Sequence, residues 1–156
     1  MKNYIFDRLP EDEQQLLKEA EKAMANAYNP YSKFSVGAAL LSLDGKIITG
    51  SNYENAAYGP TICAERSALV KANSEGIRKF SKIAIIGKGK KGPTVGVTAP
   101  CGTCRQMLFE ASQISKKDIW VIMANTNMTV IIKARISTLL PLAFGPDDLE
   151  IDVSKF

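Results

Sequence analysis

Two short segments, TICAERSALV (61–70) and PCGTCRQMLFEAS (100–112), constrain this chain more than anything else in it, because each opens a helix-like pattern around cysteine. Cys101 and Cys104 are three apart, so on a helix their sulfurs share one side. Cys63 lies 38 positions before Cys101, at the start of another helix-like run. If the three sulfurs meet, two helix N-termini must point at one place in the fold. Their positive dipole ends then lower the thiol pKa values and offset the negative charge of three thiolates on one dication. A Cys-x-x-Cys pair alone also marks redox dithiols, zinc ribbons and chance. Pro100 before the pair and the third cysteine sharpen the reading towards a metal centre.

The rest of the chain supplies a frame for that centre. Leu16, Leu17, Ala20, Met24 and Ala27 follow helical spacing over 11–27, with acids in the opening turn. NPYSKF breaks that helix, since the residue before proline is pushed to extended conformations. FSVGAALLS and KIITGSNYE read as strands joined through Asp44-Gly45, a hairpin signal. CAERSALVKAN reads as a helix and KIAIIG as a short buried strand. PCGTCRQMLFEAS is expected to have Pro100 at or near its first helical position. DIWVIMA and MTVIIKA form a further hairpin through Asn125-Thr126-Asn127, and the apolar tail LLPLAFGPDDL is expected to dock. With no internal repeat or linker in 156 residues, one α/β domain with a central sheet is the economical organisation.

Composition narrows the function classes. Hydrophobic residues make up 46% and charged residues 23%, which argues against disorder. No apolar run approaches the roughly 20 residues of a membrane helix, and the N-terminus lacks a secretory pattern, so a cytoplasmic location is expected. The net charge of +4 is mild, and the basic cluster GKGKKG (87–92) reads as a solvated loop, because such patches bind nucleic acid within a larger basic surface.

There are three cysteines and no histidine. A structural zinc site is normally closed by four protein ligands, whereas a catalytic one keeps three and leaves a position to water. Unless a carboxylate closes it, Cys63, Cys101 and Cys104 leave zinc with an open position, where a bound water ionises near neutral pH. A proton must then be carried to the leaving group, and Glu65, two residues after Cys63, is the candidate carrier. An acid in a first helical turn is also commonplace for its dipole alone. Arg66 either donates to a ligand sulfur, withdrawing charge from the metal, or pairs with a surface carboxylate.

A ligand, one residue, then Glu, followed later by Pro-Cys-x-x-Cys, is the zinc deaminase signature with cysteine in place of histidine as first ligand. Within that superfamily the sequence resembles the small cytidine deaminases of pyrimidine salvage. The matching segments are NPYSKFSVGAAL, NYENAAYGPTICAERSA, APCGTCRQ and LLPLAFGPDDL. The resemblance implies a single three-layer α/β domain over residues 1–156, with a central mixed five-stranded sheet flanked by helices and Asp147–Phe156 partly a tail. It implies Cys63, Cys101 and Cys104 as ligands of one Zn²⁺ per subunit and Glu65 as proton shuttle. Asn52 and Glu54 match the family's pair for the ribose hydroxyls, and on their own they read as strand-end polar residues. Phe34 matches an aromatic of the base and sugar pocket, or is a core strand residue. Ala56, Tyr58 and Phe144 match positions supplied across a subunit boundary, Phe144 to stack on the pyrimidine, which implies a homotetramer. Backbone near Ala64 and Cys101 is expected beside the departing amino group.

The expected reaction is hydrolytic deamination of cytidine and 2′-deoxycytidine, with a small nucleoside as partner and neither nucleic acid nor membrane. A deaminase of a modified nucleoside such as blasticidin S is an alternative, although the Asn52–Glu54 pair argues against it. A zinc-stabilised module for single-stranded RNA is a further alternative, which predicts salt-sensitive binding without turnover.

Overall fold

The computed structural model describes residues 2–156. Three layers follow from the alternation of apolar residues along the strands. β1 (Ser35–Ser42), β3 (Phe80–Gly89) and β5 (Trp120–Ala124) carry apolar residues on both faces, the pattern of strands covered from both sides. Ala38, Leu40, Ile83, Ile85, Val121 and Met123 pack on one face with α2 (Ala64–Ser74) and α3 (Gly102–Ser115). Ala39, Ala84, Ile86, Ile122 and Ala124 pack on the other against Leu16, Leu17 and Ala20 of α1 (Glu11–Met24).

The sheet runs β2-β1-β3-β5-β6, where β2 is Ile47–Ser51 and β6 is Ile131–Arg135. β1 pairs antiparallel with β2 and β3, β3 parallel with β5, and β5 antiparallel with β6. The sheet is therefore mixed, and the one parallel pair is bridged by a crossover carrying α3, as parallel neighbours require. Both hairpins expected from Asp44-Gly45 and from 125–127 form. A short helix, α4 (Ile136–Leu139), follows β6, and two 3₁₀ turns, Pro146–Leu149 and Val153–Lys155, close the tail. The second of these docks on α3.

Two local expectations are corrected. Pro100 is not in the first turn of α3, because Cys101 is the extended residue that caps the helix and Pro100 precedes it. The stretch GKGKKG is not simply loop. β3 runs on to Gly89 and turns back into a two-residue strand, β4 (Gly92–Pro93), with Gly89 opposite Gly92. Ladder pairing with β3 overrides the poor strand propensity of Gly and Lys there.

The face that carries α2 brings both cysteine segments to the sheet. Gly50 of β2 makes this possible, because a Cβ there would stand 2.4 Å from the Ala68 nitrogen and 2.5 Å from the Ala64 oxygen. Any larger residue pushes α2, and Cys63 with it, off the sheet.

Candidate active site

Cys63 and Cys101 occupy the same station on two helices: each is the extended residue immediately before the first helical turn, of α2 and α3 respectively. Cys104 is in the first turn of α3 and fully buried. The sulfurs of Cys63 and Cys101 are 4.0 Å apart and those of Cys101 and Cys104 3.6 Å. All three lie within 4.8 Å of one another, the only such group of potential metal ligands among the described residues. Sulfurs bound at ~2.3 Å to a tetrahedral zinc stand about 3.8 Å apart. The three thiols thus fit zinc in donor type and spacing, and they leave one tetrahedral position without a cysteine.

The electrostatics favour ionised sulfur. A hydrogen bond with Cys104 is the chief reason the Cys63 thiol falls to about 5, and Cys101 and the Arg66 guanidinium add to it against the opposing effect of burial. Cys104 moves the opposite way, held up by Cys63 and by burial. The two titrate as a pair, losing a first proton readily and a second reluctantly until a cation takes its place.

Glu65, the second residue of α2, is 3% exposed. Burial pushes its carboxyl above the ordinary range and the Cys63 charge adds to this, while its own backbone amide, Cys104 and Arg66 oppose it. A raised carboxyl pKa moves the group in the direction that a general acid requires. Arg66 donates through Nη2 to the Thr61 carbonyl at 2.8 Å, so it braces the chain entering Cys63 while its charge acts on that sulfur. Its buried Nε has no partner among the described residues. Among the described residues Arg66 forms no ion pair with a carboxylate; its charge acts on the Cys63 sulfur while its hydrogen bond goes to the Thr61 carbonyl.

An open cleft of about 370 Å³ is lined by Tyr31, Ser32, Glu54, Tyr58 and Thr61, and Thr61, whose carbonyl Arg66 holds, ties it to the cysteine segment. Glu54 is buried at its edge, and its Oε2 accepts from the backbone amides of Tyr31 (2.9 Å) and Ser32 (3.2 Å). The Ser32 hydroxyl, then these amides, hold the Glu54 carboxyl below its usual range. It is a fixed carboxylate with acceptor capacity to spare. Asn52 sits differently from the simple expectation. Its Oδ1 accepts from the Val36 amide at 2.8 Å and its Nδ2 donates to the Phe34 carbonyl at 2.9 Å. The amide thus ties β2 to β1 and keeps one N–H. Phe34, half-buried, lays its ring against Gly87 and Gly89 of β3.

The structure therefore brings Cys63, Cys101, Cys104, Glu65, Ala64 and Arg66 together at two helix starts, and Asn52, Glu54 and Phe34 together beside β1. Of the remaining three it brings Tyr58 to the exposed rim of the Glu54 cleft and leaves Ala56 and Phe144 outside. Ala56 is exposed, Tyr58 is 73% exposed with its edge towards Tyr31, and Phe144 is 62% exposed. Phe144 lines a separate cleft with Gln106, Glu110 and Pro146. Sequence reasoning missed the Tyr31–Ser32 amides, which carry no side-chain signal. It also missed Arg105, which follows the last cysteine directly and donates to the Pro100 carbonyl at 2.9 Å.

Three thiols converging with a buried carboxyl on a layered α/β sheet define the class, a hydrolytic metalloenzyme. Residues 10–121 match the model of the cytidine and deoxycytidylate deaminase zinc-binding region. The chain is 46% identical to a cytidine deaminase of Halalkalibacterium halodurans, over 88% of this chain and 98% of that one. It is 44% identical to a cytidine deaminase of Sporosarcina psychrophila, over 88% and 95% respectively. Among solved structures, cytidine deaminase from Burkholderia pseudomallei superposes with a TM-score of 0.74 at 41% identity, over 83% of this chain and 97% of that one. Cytidine deaminase from Mycobacterium tuberculosis superposes with a TM-score of 0.69 at 36% identity, over 87% and 99%. The chain belongs to the cytidine and deoxycytidylate deaminase family.

Proposed function

We propose that this protein is a zinc-dependent cytidine deaminase of pyrimidine salvage. It converts cytidine and 2′-deoxycytidine with water to uridine and 2′-deoxyuridine plus ammonia. The observation that carries this reading is the convergence of Cys63, Cys101 and Cys104 beside the buried Glu65. Residues 1–156 act as one deaminase domain, with Asp147–Phe156 partly a tail. Each subunit holds one Zn²⁺ on the three cysteines, and Arg66 withdraws charge from the Cys63 sulfur.

Bound there, zinc supplies Lewis acidity that activates a water for attack on C4 of the base. Glu65 takes the proton of that water and delivers it to N3, so the ring accepts the nucleophile. It then moves a proton to the amino group, which departs as ammonia past the backbone of Ala64 and Cys101. The raised pKa of Glu65 supports this double duty, because one group has to accept and donate near neutral pH. Glu54 accepts from a ribose hydroxyl with the oxygen its backbone amides leave free, and Asn52 donates its remaining N–H while holding Phe34 at the pocket wall.

The exposure of Tyr58 and Phe144 supports a homotetramer in which Ala56, Tyr58 and Phe144 of neighbouring subunits complete each site. Such a pocket excludes a polynucleotide running through the sugar. No described helix is long and apolar enough to cross a membrane, in keeping with a cytoplasmic nucleoside enzyme.

The test is an ultraviolet assay of metal-quantified protein with cytidine, deoxycytidine, free cytosine and a short oligonucleotide. The two nucleosides lose their cytidine absorbance, the other two are untouched, and zinc is found at about one per chain. Zinc at that level with both nucleosides unchanged would overturn the proposal.

A further inference from the structure

The helix that carries Cys101 and Cys104 also holds the exposed chain around Phe144, and it does so through residues directly after the last cysteine. Arg105 spreads its guanidinium over two carbonyls: Nε donates to Pro100 at 2.9 Å and Nη1 to Leu139 at 3.0 Å. The first carbonyl belongs to the residue before Cys101, and the second ends α4. Gln106 donates through Nε2 to the Phe144 carbonyl at 2.9 Å. One turn further on, Phe109 meets Gly145 so closely that a Cβ there would stand 2.6 Å from the ring.

Residues 105, 106 and 109 thus grip the chain at 139, 144 and 145. In the segment between, 140–143, Leu142 is fully exposed and in the left-handed backbone region. Among the described residues nothing else pairs Arg105. Only a planar fork offers Nε and Nη donors in fixed directions to carbonyls on two different segments. Arg66 makes the corresponding backward bond at the other cysteine helix, to Thr61, but it reaches no second segment.

We propose that Arg105 is a positioning residue that locks the metal-ligand loop and the Phe144 strap into one rigid piece. Through Pro100 it holds the entry to Cys101, and through Leu139 it anchors the near end of the strap whose far end Gln106 and Phe109 fix. The order of the three cysteines and the placement of Phe144 are then one event, not two. This rests on the reading above, in which Phe144 contacts the base, for the part that concerns substrate.

The experiment compares zinc-loaded wild type, Arg105→Gln and Gln106→Ala in two measurements: the rate of zinc transfer to an excess of a chromogenic chelator, and kcat and KM for cytidine. Arg105→Gln releases zinc roughly tenfold faster, the size seen when a partner outside the ligand shell is lost, and its KM rises. Gln106→Ala raises KM alone and releases zinc at the wild-type rate. General loosening of the fold would move both quantities in both variants, so that pattern overturns the proposal. So does Arg105→Gln with a wild-type release rate or a wild-type KM. Should Arg105→Gln not fold, Arg105→Lys keeps the charge but loses the fork, and the same two changes are expected in smaller measure. If the wild type turned over no cytidine, the deaminase reading would fall, and the chelator measurement would still decide whether Arg105 holds the cysteine loop.

Discussion

The metal centre and the substrate rim are built to different standards. Cys104 and Glu65 are buried, their neighbours come from two helix starts of one chain, and every element that places them is covered by the sheet. The aromatic rim is the reverse: Tyr58 and Phe144 stand in solvent on a single chain. The difference fits the proposal made above, in which the reacting groups are complete within one chain and neighbouring subunits supply part of the grip on the base. A fixed carboxyl beside three thiols has to be pre-organised, because misplacement by an ångström costs rate directly. Stacking surfaces tolerate assembly from separate chains, since their energy is spread over area.

Substitutions on the two sides of this divide should separate cleanly. Glu65→Gln keeps its zinc and loses a factor of about 10² to 10⁴ in kcat, the usual worth of a positioned acid–base group. Turnover within tenfold of wild type would remove Glu65 from its role. Glu54→Gln weakens a charge-assisted hydrogen bond and raises the cytidine KM by roughly tenfold to a hundredfold. The effect on deoxycytidine, measured in parallel, tells which sugar hydroxyl Glu54 holds. Phe144→Ala raises KM about tenfold through lost stacking, with zinc content and kcat little changed.

The smallest effect on turnover is expected far from both regions. Glu13, in the first turn of α1, is buried between Lys133 at 2.6 Å and Lys82 at 3.1 Å. Glu13→Gln leaves kcat/KM unchanged while unfolding free energy falls by ~1–3 kcal/mol, because Lys82 keeps Asp12 as a partner and both lysines retain some solvent. A changed KM in that variant would mean that stability and rim are coupled after all.

Legibility in the sequence follows the same divide. The cysteine centre could be read because its logic is local: Cys101 and Cys104 are one helical turn apart, and the acid that serves them is two residues from Cys63. The strands β1, β3 and β5 were legible as apolar runs bounded by turns. What failed depended on the competition for a cap, on ladder pairing, or on partners distant in the chain. Pro100 stands two residues before the first helical residue, Gly102, because Cys101 takes the cap position. Gly89 and Gly92 formed a ladder that their propensities argue against. Asn52 looked free to meet a sugar, and its amide proved to be tied to Phe34 and Val36, 18 and 16 residues away. Arg105 drew no notice, since its two carbonyls lie on segments that only the folded chain brings together. Phe144 is legible through resemblance alone, because its exposed ring meets nothing on its own chain that marks a role.

The division itself is tested by mixing. Subunits carrying Glu65→Gln, with intact Phe144, are reassembled with subunits carrying Phe144→Ala, with intact Glu65, and cytidine kinetics are recorded on the mixture. If chemistry is completed within a chain and the base is gripped by the next, the mixed assembly contains sites that combine wild-type kcat with wild-type KM, a combination that neither parent has. If the mixture shows only the raised KM of Phe144→Ala, diluted by inactive subunits, the rim is built within one chain and the account is wrong.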